Sequence, residues 1–544
     1  MNRRSSILIV FVLCVTLLLT GCGGAIGQHA AQAPSSDAGS TKQRGHVAAP
    51  TPAMRYFQES GTAVQPGLAA PDQNGLSTGG NAVPNGEPYD ATFYENYGTN
   101  PFIDTEDDVF STFALDVDTA SYTVMRRYLR DGYLPDPASV RVEEYLNYFD
   151  YHYPQPESGD FAIYLEAGPS PFGGERYELL QIGIQARRVD AAQRPPASLT
   201  FVIDVSGSMD REDRLETLKQ ALTLLVAEMR PDDTIAIAVY GSDAHAVLPP
   251  TSGAEQDRIL SAIAALKPEG STNVEAGLDV GFALADEAFG EGRINMVLLC
   301  SDGVANNGVT DAESLLRKYE RYLDRGIQLS TFGFGMGNFN DVLMERMANG
   351  GDGSYAYIDS LSEARRVFVE QLTGTLQTIA RDAKVQVEFN PAVVSRYRLL
   401  GYENRDVADE DFRNDTVDAG EIGAGHRVTA LYEIKRVAGA SGPLAIVRLR
   451  YQPAAGGAVV EESQLISSDL IRERVEETTP RFQLAASVAQ FAEVLRKSYW
   501  AKGEALEDVL PLAEAAARGF EDDPAVVEFI SLLRQAIALK PAER

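Results

Sequence analysis

The sequence predicts an α/β fold: a doubly wound domain built on a parallel sheet, inserted in a discontinuous β-sandwich and followed by a helical C-terminal segment. Three observations predict it. Between residues 197 and 379, short apolar runs alternate with amphipathic stretches at helical spacing, the pattern of a parallel sheet covered on both faces. Runs such as Thr200-Phe201-Val202-Ile203 do not alternate apolar with polar, as strands buried on both sides do not. Strand-like segments lie both before and after this block, so the block reads as an insertion between two parts of one β module.

The chain has 544 residues, too many for one core, since domains cluster near ~100–200 residues. Its N-terminus carries Arg3 and Arg4, then an apolar stretch from Ile7 to Leu19. That stretch is shorter than the ~20 residues of a spanning helix, so residues 1–21 read as a signal peptide. From Cys22 to residue 95 the sequence is rich in Ala, Gly, Pro, Ser and Gln and lacks periodic apolar positions. Such a segment buries too little surface to offset the cost of ordering, and reads as a disordered tether that gives reach.

An N-terminal module follows over 96–196. Strands are expected at Phe110–Leu115, Phe161–Glu166 and Tyr177–Gln185, and helices at Ala120–Leu129 and Val140–Phe149. Tyr145, Tyr148, Phe149, Tyr151 and Tyr153 form an aromatic run that reads as a packed seam. Asp116-Val117-Asp118 lacks the glycine and distal glutamate of a calcium loop and reads as structural.

In the block 197–379, strands are expected at Leu199–Asp204, Thr234–Tyr240, Ile294–Cys300, Ile327–Phe334 and Tyr355–Ile358. Helices are expected at Leu215–Met229, Ile259–Leu266, Val274–Phe289, Leu315–Tyr322, Val342–Met347 and Ala364–Leu376. A β-rich module over 380–475 and a helical segment over 476–544 complete the chain.

Composition narrows the function. With 48 Lys and Arg against 78 Asp and Glu, the formal charge is −30. Nucleic-acid binding rests on cations that neutralise phosphates, so no nucleic acid is expected as a partner. The three cysteines, Cys14, Cys22 and Cys300, form neither a disulfide framework nor a zinc site. Cys300 sits in an apolar run and reads as a small buried hydrophobe.

The chemistry gathers in three loops. Asp204-Val205-Ser206-Gly207-Ser208 follows the first buried strand, Gly270-Ser271-Thr272-Asn273 precedes a helix, and Ser301-Asp302-Gly303 follows another apolar strand. All three belong on one rim, because ligands gather at the carboxyl ends of strands in open α/β sheets. Side chains offering only oxygen suit Mg2+, or Ca2+ or Mn2+, rather than zinc or copper. Gly333-Phe334-Gly335-Met336-Gly337 lacks the spacing of a dinucleotide fingerprint and the lysine of a phosphate loop, so it reads as close backbone packing. His29, His46, His152, His245 and His426 are scattered, with no zinc-protease spacing and no base beside Ser206 or Ser208 in sequence.

The three loops resemble the metal-ion-dependent adhesion site (MIDAS) of von Willebrand factor A (VWA) domains, whose pattern is Asp-x-Ser-x-Ser, then a Thr, then an Asp. The resemblance implies a Rossmann-like doubly wound VWA domain. It also implies that Ser206, Ser208 and Thr272 bind a divalent cation directly or through water, and that Asp204 and Asp302 supply charge. A sixth position would stay open for a partner carboxylate. Phe113 to Asp118, Arg141-Val142-Glu143-Glu144, Gly335-Met336-Gly337-Asn338 and Leu399-Leu400-Gly401-Tyr402-Glu403-Asn404-Arg405 are similar to bacterial VWA lipoproteins of the YfbK type, from about residue 96 onward. Leu19-Thr20-Gly21-Cys22 resembles the bacterial lipobox, which implies acylation of Cys22 and anchoring in the cell membrane or outer membrane, facing periplasm or exterior.

The expected role is therefore that of a non-enzymatic envelope lipoprotein. It would hold an envelope or extracellular protein that offers an acidic side chain. Two alternatives stand beside it: a structural lipoprotein whose metal only stabilises the fold, and a metal-assisted hydrolase.

Overall fold

The computed structural model describes residues 77–79, 91–172, 176–303, 311–336 and 339–539. The expected signal peptide and Cys22 lie outside them. Two short strands and a buried tyrosine fall within the stretch read as tether, most of which lies outside the described residues. Ser77–Gly79 pairs with Ala91–Phe93, which pairs in turn with Phe339–Asn340. Tyr94 is buried in the core beside Tyr128 and Phe339, which is why this stretch is held although its composition reads as linker.

The central domain has a six-stranded sheet. Its strands are β1 (Ala197–Asp204), β2 (Thr234–Tyr240), β3 (Ala244–Ser252), β4 (Ile294–Ser301), β5 (Gln328–Phe334) and β6 (Tyr355–Ile358), in spatial order β6-β5-β4-β1-β2-β3. All neighbours are parallel except β3, which runs antiparallel to β2 at the edge. Every residue of β1 and β4 is buried, which accounts for their unbroken apolar runs.

Successive side chains point to opposite faces. Phe201, Ile203 and Leu298 join Leu218 and Leu222 of helix α1 (Arg214–Glu228) in one core. Val202, Val297 and Leu299 join Leu278 and Phe282 of helix α2 (Val274–Ala288) in the other. β3 was not expected from sequence. It is an exposed edge whose Pro249 and Pro250 lack the N–H of a ladder, and such strands carry little apolar signal.

The flanking strands form the expected sandwich. One sheet runs Gly420–Gly423, Thr378–Phe389, Pro443–Pro453, Val460–Ser467, with Phe110–Ala114 also paired to Thr378–Phe389. The other runs Ile103–Asp104, Val394–Leu400, Arg427–Arg436, Glu178–Ala186, Phe161–Pro169. Each sheet mixes strands from before and after the central domain, and Leu180, Ile182, Val385, Val387 and Leu449 share one core between them.

Helices Pro480–Leu495, Leu506–Ala517 and Pro524–Leu539 close a further core around the aromatic run. Tyr122 stacks on Tyr148 at 4.1 Å between centroids, and Phe149 meets Phe529 at 5.5 Å. The run is thus a seam between the N-terminal module and the C-terminal helices. Asp116 and Asp118 are buried against Arg405, at 3.2 and 3.3 Å.

Candidate metal centre

β1 delivers Asp204 to the carboxyl rim of the sheet, and β4 ends one residue before Asp302. Both aspartates are fully buried. The chain after Asp204 folds back at once: Asp204 Oδ1 accepts from the backbone N–H of Ser206 at 2.8 Å. This turn brings Ser206 and Ser208 to one point, with their hydroxyl oxygens 2.9 Å apart. Ser301 donates to the other Asp204 oxygen at 2.9 Å and accepts from Gly303 N–H at 3.0 Å, tying the two strand ends together.

The loop bearing Thr272 is stitched to the same turn. Gly207 N–H donates to Gly270 O at 3.1 Å, and Glu269 N–H donates to Val205 O. Gly270 has φ +79°, and a Cβ there would lie 2.4 Å from Ser242 Oγ, so only glycine lets the loop come this close. Thr272 follows two residues on and is buried. Asn273 then caps α2 by accepting from Ala276 N–H. The five residues singled out in the sequence therefore lie on loops held together at one rim.

The electrostatics are those of a site short of positive charge. Burial, and next the charge of Asp302, push the Asp204 carboxyl up to about 7 against the pull of its hydrogen bonds from Ser206 and Ser301. Burial likewise raises Asp302, and Arg214 opposes that rise. Asp302 Oδ1 is buried with no hydrogen-bond partner among the described residues. Two buried carboxylates, one with a free oxygen, beside two hydroxyls form an all-oxygen donor set. It fits a hard divalent cation, which would satisfy the orphan oxygen and relieve the repulsion.

Sequence reasoning missed Arg214, the first residue of α1. Its Nη1 donates to Asp302 Oδ2 at 3.0 Å, and its Nη2 donates to the backbone oxygen of Met336. The glycine-rich loop supplies the room: at Gly335, φ +78°, a Cβ would lie 1.9 Å from Arg214 Nε. That loop is close packing, as expected, but what it packs around is a charged group of the site. Gly337 and Asn338 lie outside the described residues.

A cleft of about 1010 Å³ lies elsewhere, where the central domain meets the sandwich and the C-terminal helices. Its Arg126 and Arg366 are already paired with Glu363, so it is not short of cations as the rim is. Asp352, Asp418 and Glu421 also approach one another within 4.8 Å, outside the motif loops, and burial together with neighbouring carboxylates raises all three.

A doubly wound sheet with Asp-x-Ser-x-Ser, Thr and Asp on one rim defines a VWA-domain protein. Comparison agrees: the von Willebrand factor type A domain pattern matches residues 199–304, and a further von Willebrand factor pattern matches 88–181. The pattern described as "Uncharacterized protein YfbK, C-terminal" matches 374–443 and 436–539. "Uncharacterized protein YfbK" of Escherichia coli (strain K12) is 37% identical over 470 residues, covering 81% of this chain and 80% of its own. The chain belongs to the YfbK family. Inter-alpha-trypsin inhibitor heavy chain H3 of Homo sapiens is 28% identical over 196 residues, 34% of this chain and 22% of its own. A solved "von Willebrand factor type A" structure from Catenulispora acidiphila superposes with a TM-score of 0.42 at 15% identity, over 70% of this chain and 91% of its own.

Proposed function

We propose that this chain is a cell-envelope lipoprotein, anchored through Cys22, that binds a protein partner through a metal-ion-dependent adhesion site. The observation that carries the reading is the pair of buried, mutually repelling aspartates with an orphan oxygen at Asp302 Oδ1. Asp204 and Asp302 would supply charge to Mg2+, or Ca2+ or Mn2+, and Ser206, Ser208 and Thr272 would supply neutral oxygens. When bound, the cation offers a Lewis-acidic position that a partner carboxylate can complete. Ser301 and the Ser206 backbone hold Asp204 in one orientation, and the Gly207–Gly270 bond keeps the hydroxyl loop and the Thr272 loop in register.

A binding role is favoured over hydrolysis because the two serine hydroxyls bond each other, and neither has an imidazole partner among the described residues. His426 lies in the distant cleft and is pushed down to about 4 by burial and by Arg427 and Arg366.

The test is capture of envelope proteins by the purified chain in Mg2+, in EDTA, and with the Asp204→Ala variant. A partner retained only by the wild type in Mg2+ is expected. Equal capture in all three arms would overturn metal-bridged binding. For the anchor, Cys22→Ala is expected to leave the membrane fraction or to retain its leader. A processed, acylated variant still in the membrane would contradict lipidation at Cys22.

A further inference from the structure

We propose that Arg214 is a specificity-determining residue of the rim: a fixed internal cation that weakens the hold on the metal and makes the loaded site select an anionic ligand. The inference rests on the metal-binding reading above and deepens it.

The geometry begins with a guanidinium buried at the rim. Arg214 is 4% exposed and stands at the start of α1, directly after the turn that carries Ser206 and Ser208. One nitrogen donates to Asp302 Oδ2 at 3.0 Å, and another donates to Met336 O, on the loop that follows β5. That loop is shaped to the arginine. Gly335 takes a left-handed conformation, and any side chain there would overlap Arg214 Nε and Cδ at 1.9 and 2.3 Å. The arginine is thus held from the loop side as well as by its acid. The guanidinium places a positive charge against Asp302.

Counting formal charges shows the consequence. With both carboxyls ionised, as a bound cation requires, Asp204 and Asp302 contribute −2 and Arg214 contributes +1, leaving −1. A divalent cation then brings the loaded rim to +1. Without Arg214 the same rim would be −2 empty and 0 when loaded. The arginine therefore lowers the attraction for the metal, because it occupies one oxygen of Asp302 and repels the incoming cation. It also leaves a net positive charge that attracts a carboxylate at the open position. In a buried setting such interactions are poorly screened, so one unit charge changes binding by about tenfold or more. Arg211 adds a weaker positive influence on Asp302, in the same direction.

The experiment is calorimetric titration of the full chain with Mn2+ at fixed ionic strength, with and without acetate as the anionic probe. The proteins are wild type, Arg214→Lys, Arg214→Gln, Arg214→Met and Asp204→Ala. Arg214→Gln and Arg214→Met are expected to bind Mn2+ about tenfold or more tightly than wild type. Arg214→Lys keeps the charge and is expected to stay within about threefold of wild type. Acetate is expected to tighten Mn2+ binding in wild type and Arg214→Lys, and to lose that effect in the Gln and Met variants.

A merely structural arginine gives the opposite sign, since a loosened rim binds metal more weakly. Weaker or unchanged Mn2+ binding by a folded Arg214→Gln protein, which keeps an amide donor and loses only the charge, would overturn the proposal. Failure of wild type itself to bind Mn2+, or full binding by Asp204→Ala, would instead overturn the metal reading on which it stands.

Discussion

Two regions of this molecule bury acids, and they treat them differently. At the seams between units, the buried acids are set against arginines. Arg398 holds Glu433 at 2.7 Å and Glu493 at 3.0 Å; Arg141 holds Asp341 at 2.6 Å and Glu144; Arg126 holds Asp359 and Glu363 at 2.5 and 2.8 Å. At the rim, Asp204 has only hydrogen-bond donors; Asp302 has Arg214 on one oxygen, and its Oδ1 has no hydrogen-bond partner among the described residues, although the Ser208 hydroxyl is near enough to pull the carboxyl down. The seam networks set their acids against arginines, although burial still pushes Glu144 up to about 8 beside Arg141. The rim keeps its acids short of charge. The buried networks and the rim differ less in residue type than in this deficit.

The largest expected effect is at the seam. Arg398→Met leaves Glu433 buried without its arginine and Glu493 with Arg496 alone, and breaking a buried pair in this way costs about 3–5 kcal/mol. Denaturant unfolding should show a loss on that scale, and a loss below about 1 kcal/mol would erase the distinction between the two regions. Asp204→Asn should behave in the opposite way. It removes half of a repelling pair, so in EDTA the variant is expected to be as stable as wild type or more stable by about 1 kcal/mol. A large destabilisation in EDTA would make Asp204 a structural residue like those of the seams.

Glu143, like Glu144, is a seam acid that behaves as the rim acids do. Burial first, then Glu403 and Asp116, push Glu143 up to about 7, although Tyr402 N–H donates to one of its oxygens at 3.0 Å. Its native pKa is above the unfolded value of ~4.3, so the native state holds the extra proton between the two. Stability from this group is therefore present below about pH 4 and lost as pH rises through about 7. Glu143→Gln keeps an acceptor for Tyr402 and removes the charge. It is expected to stabilise the protein by about 1 kcal/mol at pH 8 and to flatten the fall between pH 5 and 8. An unchanged slope in thermal melts across that range would contradict this.

Much of this was legible in the sequence, for physical reasons. The runs at β1 and β4 stand out because both faces of each strand are covered, and the motif residues stand out because turns at strand ends repeat a compact spacing. What stayed hidden depends on tertiary position. Val460–Ser467 is an exposed edge with Leu465 half in solvent, and β3 carries two prolines, so neither shows an apolar period. Arg214 was invisible as a site residue because its partner carbonyl, at Met336, is 122 residues away and the room for it is made by Gly335. The one available signal was the glycine-rich loop itself, whose need for space implied something large beside it. The short strands at 77–79 and 91–93 and the burial of Tyr94 carry little sequence signal, because two or three paired residues and one buried tyrosine sit in linker composition.

The central claim is that the rim's missing charge is supplied by a divalent cation. It is tested most directly by thermal melts of wild type and Asp302→Asn in EDTA and then in excess Mg2+. A ligand bound only by the folded state adds ~1.4 kcal/mol for each tenfold excess over its dissociation constant. The wild-type melting temperature is expected to rise by several degrees on adding Mg2+ and to fall back in EDTA, while Asp302→Asn stays flat. A wild-type curve that Mg2+, Mn2+ and Ca2+ all leave unmoved, or an equal rise in Asp302→Asn, would contradict the account.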